Sequence, residues 1–120
     1  MSLYITPEMA EAAYNYLKTT PPFKRWGLPS SHKIEWMITR NNGYMGRCTS
    51  YNHTDNKFTI EISLVKVTNT ESLIETMAHE MIHMRQRIVN GFKSSQGHGK
   101  DFQKMADQVC RKHGFNRDYF

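Results

Sequence analysis

Apolar residues along this chain follow a helical period, then alternate, then return to a helical period. The opening "TPEMAEAAYNYLK" reads as a helix. Thr6 can cap it, Pro7 suits its first turn, and Glu8 suits the positive end of its dipole. "TTPPF" ends it, because consecutive prolines remove donors and hold the preceding residue extended. From Lys33 the period becomes two: Ile34, Trp36 and Ile38 alternate with Glu35, Met37 and Thr39, as in a half-buried strand. "NNG" at Asn41 to Gly43 marks a turn, and a second strand is predicted from about Tyr44 to Tyr51. "NHTDN" reads as another turn, followed by a third strand in which Phe58, Ile60, Ile62 and Leu64 alternate. Strands joined in sequence by short turns predict an antiparallel meander. His53 falls in a turn and His32 in the approach to a strand, so both read as surface histidines.

After Thr68 the helical period resumes. Thr70 or Ser72 can cap, with Ser72 and Glu75 at capping-box spacing. Leu73, Ile74, Met77, Ala78, Met81 and Ile82 form a wide apolar face, and Asn90-Gly91 supplies the stop. "FKSSQGHG" reads as a loop. A last helix is expected from about Lys100 to His113, where Phe102, Met105, Ala106, Val109 and Cys110 recur at helical spacing, and Gly114 closes it. His113, at that helix's C-terminal end, is well placed as a cation.

Composition narrows the class. A chain of 120 residues with 38% hydrophobic and 12% aromatic content suits one compact domain, residues 1–120, with a single core. Mean hydropathy is negative and no apolar run approaches a membrane span, so no membrane partner is expected. The N-terminal "MSLYITPEMAEAAY" lacks a basic region followed by an apolar core and does not read as a signal peptide, so an intracellular, cytoplasmic protein is expected. Cys48 and Cys110 form no CxxC pair and read as reduced, buried residues. The net charge of +5 is a mild excess. Its distribution says more: between Met84 and Phe120, Lys and Arg outnumber the aspartates Asp101, Asp107 and Asp118, and there is no Glu. That basic C-terminal third is compatible with a DNA partner, though a solvated basic face is the default reading.

The chemistry concentrates in "HEMIHMRQRIVNGFKSSQGHGKDF", from His79 to Phe102. On a helix at ~100° per residue, His79 and His83 differ by ~40° around the axis, so both imidazoles can reach one point. Glu80 lies ~60° from His83, displaced from a shared metal but able to reach a water there, as a general base does. From composition, the pattern would arise by chance with odds of only about 0.02. A catalytic mononuclear site needs a third protein ligand and an open position. No Glu follows Glu80, and the metzincin spacing would need Gly at Gln86 and His at Val89. His98, His113, Asp101, Asp107 and Asp118 remain. His98, between Gly97 and Gly99 at the mouth of the last helix, is the best placed. Asp101 is the runner-up, or else orients a ligand as a hydrogen-bond acceptor. Three imidazoles favour one Zn2+ ion, with Mn, Co or Ni able to substitute in vitro.

"HEMIH", a variable loop and then "GHGKDF" resemble the SprT-like metalloprotease domain of the Spartan/SprT family, whose pattern is HExxH followed by HGxxF opening a helix. "FTIEISLVKV" resembles the strand that this family places before its active-site helix, and "FKRWGLP" is similar to its opening. The resemblance implies that His79, His83 and His98 hold zinc and that Glu80 is the catalytic base. It implies an α+β, minimal zincin-like fold: a small three-stranded antiparallel sheet with about three helices and HExxH on the middle one. The implied activity is zinc-dependent hydrolysis of peptide bonds in proteins, including DNA-bound or DNA-crosslinked ones. Many family members carry a C-terminal cysteine zinc ribbon, which this sequence does not show, so a compact stand-alone form is expected. The competing reading is a DNA-associated accessory protein with a zinc site but no proteolysis. Retention of Glu80 favours the enzyme, because a structural site does not need it.

Overall fold

The computed structural model describes residues 4–50, 57–90 and 97–120. Three helices, α1 (Pro7–Lys18), α2 (Thr70–Asn90) and α3 (Lys100–His113), pack with three strands, β1 (Ile34–Thr39), β2 (Gly46–Ser50) and β3 (Phe58–Ser63). The class is α+β. Helix α1 begins as its sequence predicts: Thr6 accepts a hydrogen bond from the Met9 amide at 3.2 Å, and Pro7 opens the first turn. Helix α3 runs from Lys100 to His113 and ends on Gly114 at φ 76°, where a residue without Cβ meets no steric penalty.

The sheet departs from the expected meander. Its order is β1-β3-β2, with β1 parallel to β3 and β2 antiparallel to β3. Alternation assigns each strand a buried face but says nothing of its neighbour. β3 takes the centre because it is the most buried of the three, with Phe58, Ile60 and Ile62 almost wholly enclosed. "NNG" does form a turn, in which Asn41 Oδ1 accepts from the Gly43 amide at 2.6 Å, but it closes no hairpin. Instead Ser63 donates to the Asn41 carbonyl at 2.6 Å, and the Ser63 and Leu64 amides donate to Met45 and Thr39. The turn is thereby pinned to the end of β3. The expected turn holding His53, and Gly91 after α2, lie outside the described residues.

The start of α2 also differs in detail. Asn69, not Thr70 or Ser72, caps it: its Oδ1 accepts from the Ser72 amide at 2.8 Å, and Ser72 Oγ returns a bond to the Asn69 carbonyl. The apolar face of α2 is otherwise as predicted. Leu73, Met77, Ala78, Met81 and Ile82 are buried, and they meet Tyr14 and Leu17 of α1, Ile60 and Ile62 of β3, and Phe102, Ala106 and Val109 of α3 in one core. Burial of that many aliphatic and aromatic side chains dominates the favourable side of folding. Cys48 and Cys110 are free and buried, as expected, and His32 is exposed.

His113 corrects its expected charge. Its Nε2 lies 3.0 Å from both the Pro21 carbonyl and Thr20 Oγ1, while the Thr20 hydroxyl donates to the Leu17 carbonyl. Both oxygens therefore accept from one N–H. Burial lowers the pKa of His113, the Pro21 bond opposes that only in part, and the ring is neutral at pH 7. It serves as a tie between α3 and the segment after α1.

Candidate functional site

Helix α2 carries His79, Glu80 and His83 on the side facing β2 and the start of α3. Gly97 to Gly99 bring His98 across to them. His79 Nε2 and His98 Nε2 are 3.2 Å apart, as are His83 Nε2 and His98 Nε2. One ligand atom from each of the three lies within 4.8 Å of the others. The three imidazoles sit on the ring of Phe102, with centroid distances of 4.5–4.9 Å. Of the alternatives left open by sequence, neither His113 nor any aspartate joins this group.

Hydrogen bonding sets which nitrogen of His83 faces the cluster. Gln86, one helical turn on and only 2% exposed, donates from Nε2 to the Gly97 carbonyl and to Asp101 Oδ2, each at 3.1 Å. Its Oε1 is thus the acceptor facing His83 Nδ1 at 2.7 Å, so Nδ1 carries the proton and Nε2 presents a lone pair. Asp101 also accepts from Asn90 at 3.1 Å, and these bonds, led by that of Gln86, hold its carboxyl below the usual carboxylate range. Asp101 therefore has the orienting position, one step removed. Gln86 escaped the sequence reading. Its spacing of three from His83 was visible, but the loop carbonyl it grips was not.

Electrostatics agree with a metal-ligating set. Burial, then the proximity of His83 and His98, pushes His79 down to about 3. Burial likewise lowers His83, against the opposing Gln86 bond. Both rings are neutral near pH 7. Two nitrogens ~2.0–2.1 Å from one Zn2+ at a tetrahedral angle stand about 3.3 Å apart, close to the 3.2 Å spacing here. A proton on His98 Nε2 could satisfy only one of its two neighbours, whereas one cation satisfies all three lone pairs. The residues present fit a divalent ion with an open position.

Glu80 lies beside the triad and not in it. Its carboxyl is buried, with the residue 5% exposed, and accepts a hydrogen bond from the Cys48 amide of β2. Burial pushes its pKa up to about 8, with the Cys48 bond opposing. Close approach of β2 to α2 makes this contact possible, and Gly46 permits it. A Cβ there would stand 2.8 Å from Thr76 Cγ2, 3.2 Å from the Glu61 carbonyl oxygen and 3.4 Å from Glu80 Cγ. The cleft between β2 and α2 measures about 680 Å3 and contains the three histidines, Glu80, Met45 and Phe120 in its walls. Phe120 also packs on His79 at 5.5 Å between centroids.

An α+β domain with a buried carboxylate next to three convergent imidazoles belongs among candidate metallohydrolases. A model of the SprT-like family matches residues 13–119, and the chain belongs to that family. It is 32% identical over 93 residues to the DNA-dependent metalloprotease SPRTN of Bos taurus, covering 76% of this chain and 19% of that protein. The Homo sapiens protein of that name is 31% identical over 93 residues, covering 76% of this chain and 19% of its own length. For Xenopus tropicalis the identity is 29% over 93 residues, with 76% and 21% covered. The chain thus spans about a fifth of the length of these curated relatives. Among the described residues, no helix is long and apolar enough to cross a membrane.

Proposed function

We propose that this chain is a minimal, zincin-like zinc endopeptidase acting on protein substrates, including proteins bound or crosslinked to DNA. The observation that carries the reading is the convergence of His79, His83 and His98 in a cleft whose wall includes buried Glu80. His79, His83 and His98 hold the ion through Nε2. A bound Zn2+ supplies Lewis-acid polarisation of the scissile carbonyl and lowers the pKa of the attacking water. Glu80 accepts the proton of that water and delivers it to the leaving amine. The Cys48 N–H anchors the carboxyl group, and Glu80 lines the cleft beside the three histidines. β2, at the sheet edge with β3 on one side only, offers main-chain groups for an extended peptide to pair with.

The relatives' DNA dependence, together with the basic C-terminal third of this sequence, favours substrates held on DNA. The test is incubation of a DNA-binding protein with the chain, with and without single-stranded DNA, read by gel. Cleavage stimulated by DNA is expected. DNA binding with no cleavage under any condition would favour the accessory reading instead.

A further inference from the structure

A second cavity, about 480 Å3, lies between the segment after α1 and the last turns of α3, lined by Pro21, Pro22, Arg25, Trp26, Gln108, Arg111 and Lys112. Three of its lining side chains are cationic and none is acidic. Arg25, Arg111 and Lys112 are exposed, and none of them forms an ion pair among the described residues. The nearest acid on that helix face, Asp107, is engaged by Arg117 at 2.7 Å. The helix dipole favours cations in the last turn of α3, which accounts for Arg111 and Lys112. It does not account for Arg25, which faces them from the opposite wall.

The two walls are fixed to one another. His113 Nε2 of α3 bonds the Pro21 carbonyl and Thr20 Oγ1 at 3.0 Å. Phe23 packs edge-on against Trp26 at 4.9 Å between centroids and against the His113 ring at 5.8 Å. Arg85 of α2 donates to the Trp26 carbonyl at 2.6 Å. The cations are therefore presented across a preformed gap rather than on a flat surface.

We propose that this groove binds the phosphate backbone of single-stranded DNA. Three cations lining one cavity, with no acidic side chain in its walls, suit the phosphates of a nucleic-acid strand. The proline faces and the edge of Trp26 offer apolar surface for a base or sugar. Helix α3 links the groove to the catalytic cleft: His98 precedes its first turn, and the groove lies at its last, about 21 Å away along 14 residues. DNA held there raises the effective concentration of a protein attached to the same strand. The choice of DNA and this consequence rest on the proposed function; the binding itself is measured apart from proteolysis.

The experiment is fluorescence anisotropy of a labelled single-stranded oligonucleotide, titrated with the full chain at several salt concentrations. One variant reverses the groove (Arg25→Glu, Arg111→Glu, Lys112→Glu). A control of equal net charge reverses exposed cations elsewhere (Lys33→Glu, Arg40→Glu, Lys57→Glu). The groove variant should lose at least tenfold in affinity at low salt, and its log–log salt slope should fall by about 2, at ~0.7 per lost contact. The control should keep the parental slope. If the groove variant does not fold, Lys112→Ala alone should lower the slope by about 0.7. Equal loss in the control would show diffuse attraction by net charge, and equal competition by a duplex would show no single-strand groove; either overturns the proposal. Absence of proteolysis in every variant would bear on the proposed function and leave these binding results to decide the groove.

Discussion

Gln86 is the side chain whose replacement most sharply tests how the histidines are organised. Gln86→Leu keeps the volume nearly constant in a position that is 2% exposed, so packing changes little. It removes three hydrogen bonds: the acceptor for His83 Nδ1 at 2.7 Å, and the donors to Gly97 and Asp101 at 3.1 Å. Asp101 retains Asn90, but His83 loses the group that fixes its tautomer and ring plane. Groups that orient ligating histidines are worth about 10–100-fold in metal affinity. The zinc Kd should therefore rise by that factor, equivalent to about 1.4–2.7 kcal/mol. Without metal, loss of the Gln86 hydrogen bonds should cost a further 1–3 kcal/mol of stability, roughly. Competition against a chromophoric zinc chelator reads the first quantity, and urea unfolding with excess EDTA reads the second. A parental Kd, within twofold, would show that His83 is oriented by something else and refute the reasoning.

Three more expectations follow from the structure. Gly46→Ala must push β2 away from Thr76 and Glu80, so it should destabilise by about 1–3 kcal/mol in urea and lower kcat if the chain is a protease. Tyr14 is fully buried and its hydroxyl donates to the Pro29 carbonyl at 2.6 Å, so Tyr14→Phe orphans that oxygen and should cost about 1–3 kcal/mol, seen as a lower urea midpoint at unchanged m. His113 has a folded-state pKa below its ordinary 6.5, so its contribution is complete above pH 6.5 and is lost as pH falls through and below that value, where the unfolded chain binds the extra proton. His113→Gln should flatten the fall in stability between pH 7 and 5 relative to the parent; an unchanged slope would show that His113 is not held neutral.

The helices were legible because their apolar residues repeat on one face: Leu73, Met77 and Met81, or Phe102, Ala106 and Val109, can only be buried together. The strands were legible as strands, yet Ile34, Cys48 and Ile60 carry no mark of which neighbour each will pair with. The parallel pairing of β1 with β3 therefore emerged only in three dimensions. Among the site residues, His79 and His83 declare themselves by helical spacing. Elimination left His98 as one of five candidates, preferred for its glycine neighbours and implied by the family resemblance, and the structure brings its Nε2 to 3.2 Å from both. Gln86 and Gly46 were silent, since their importance lies in contacts with the 97–99 segment and with α2 that no local pattern encodes. The basic C-terminal third was visible as composition. Its focus in a groove opposite Arg25 required the fold.

The central claim, a zinc peptidase with Glu80 as its base, is tested most directly by Glu80→Gln. The substitution preserves the side-chain shape and leaves His79, His83 and His98 in place. Bound zinc measured by elemental analysis and peptide-bond cleavage measured on the same preparation separate holding the ion from using it. The account predicts one zinc per chain and no cleavage in the variant, beside one zinc and cleavage in the parent. Hydrolysis by Glu80→Gln at the parental rate, with zinc retained, would contradict it.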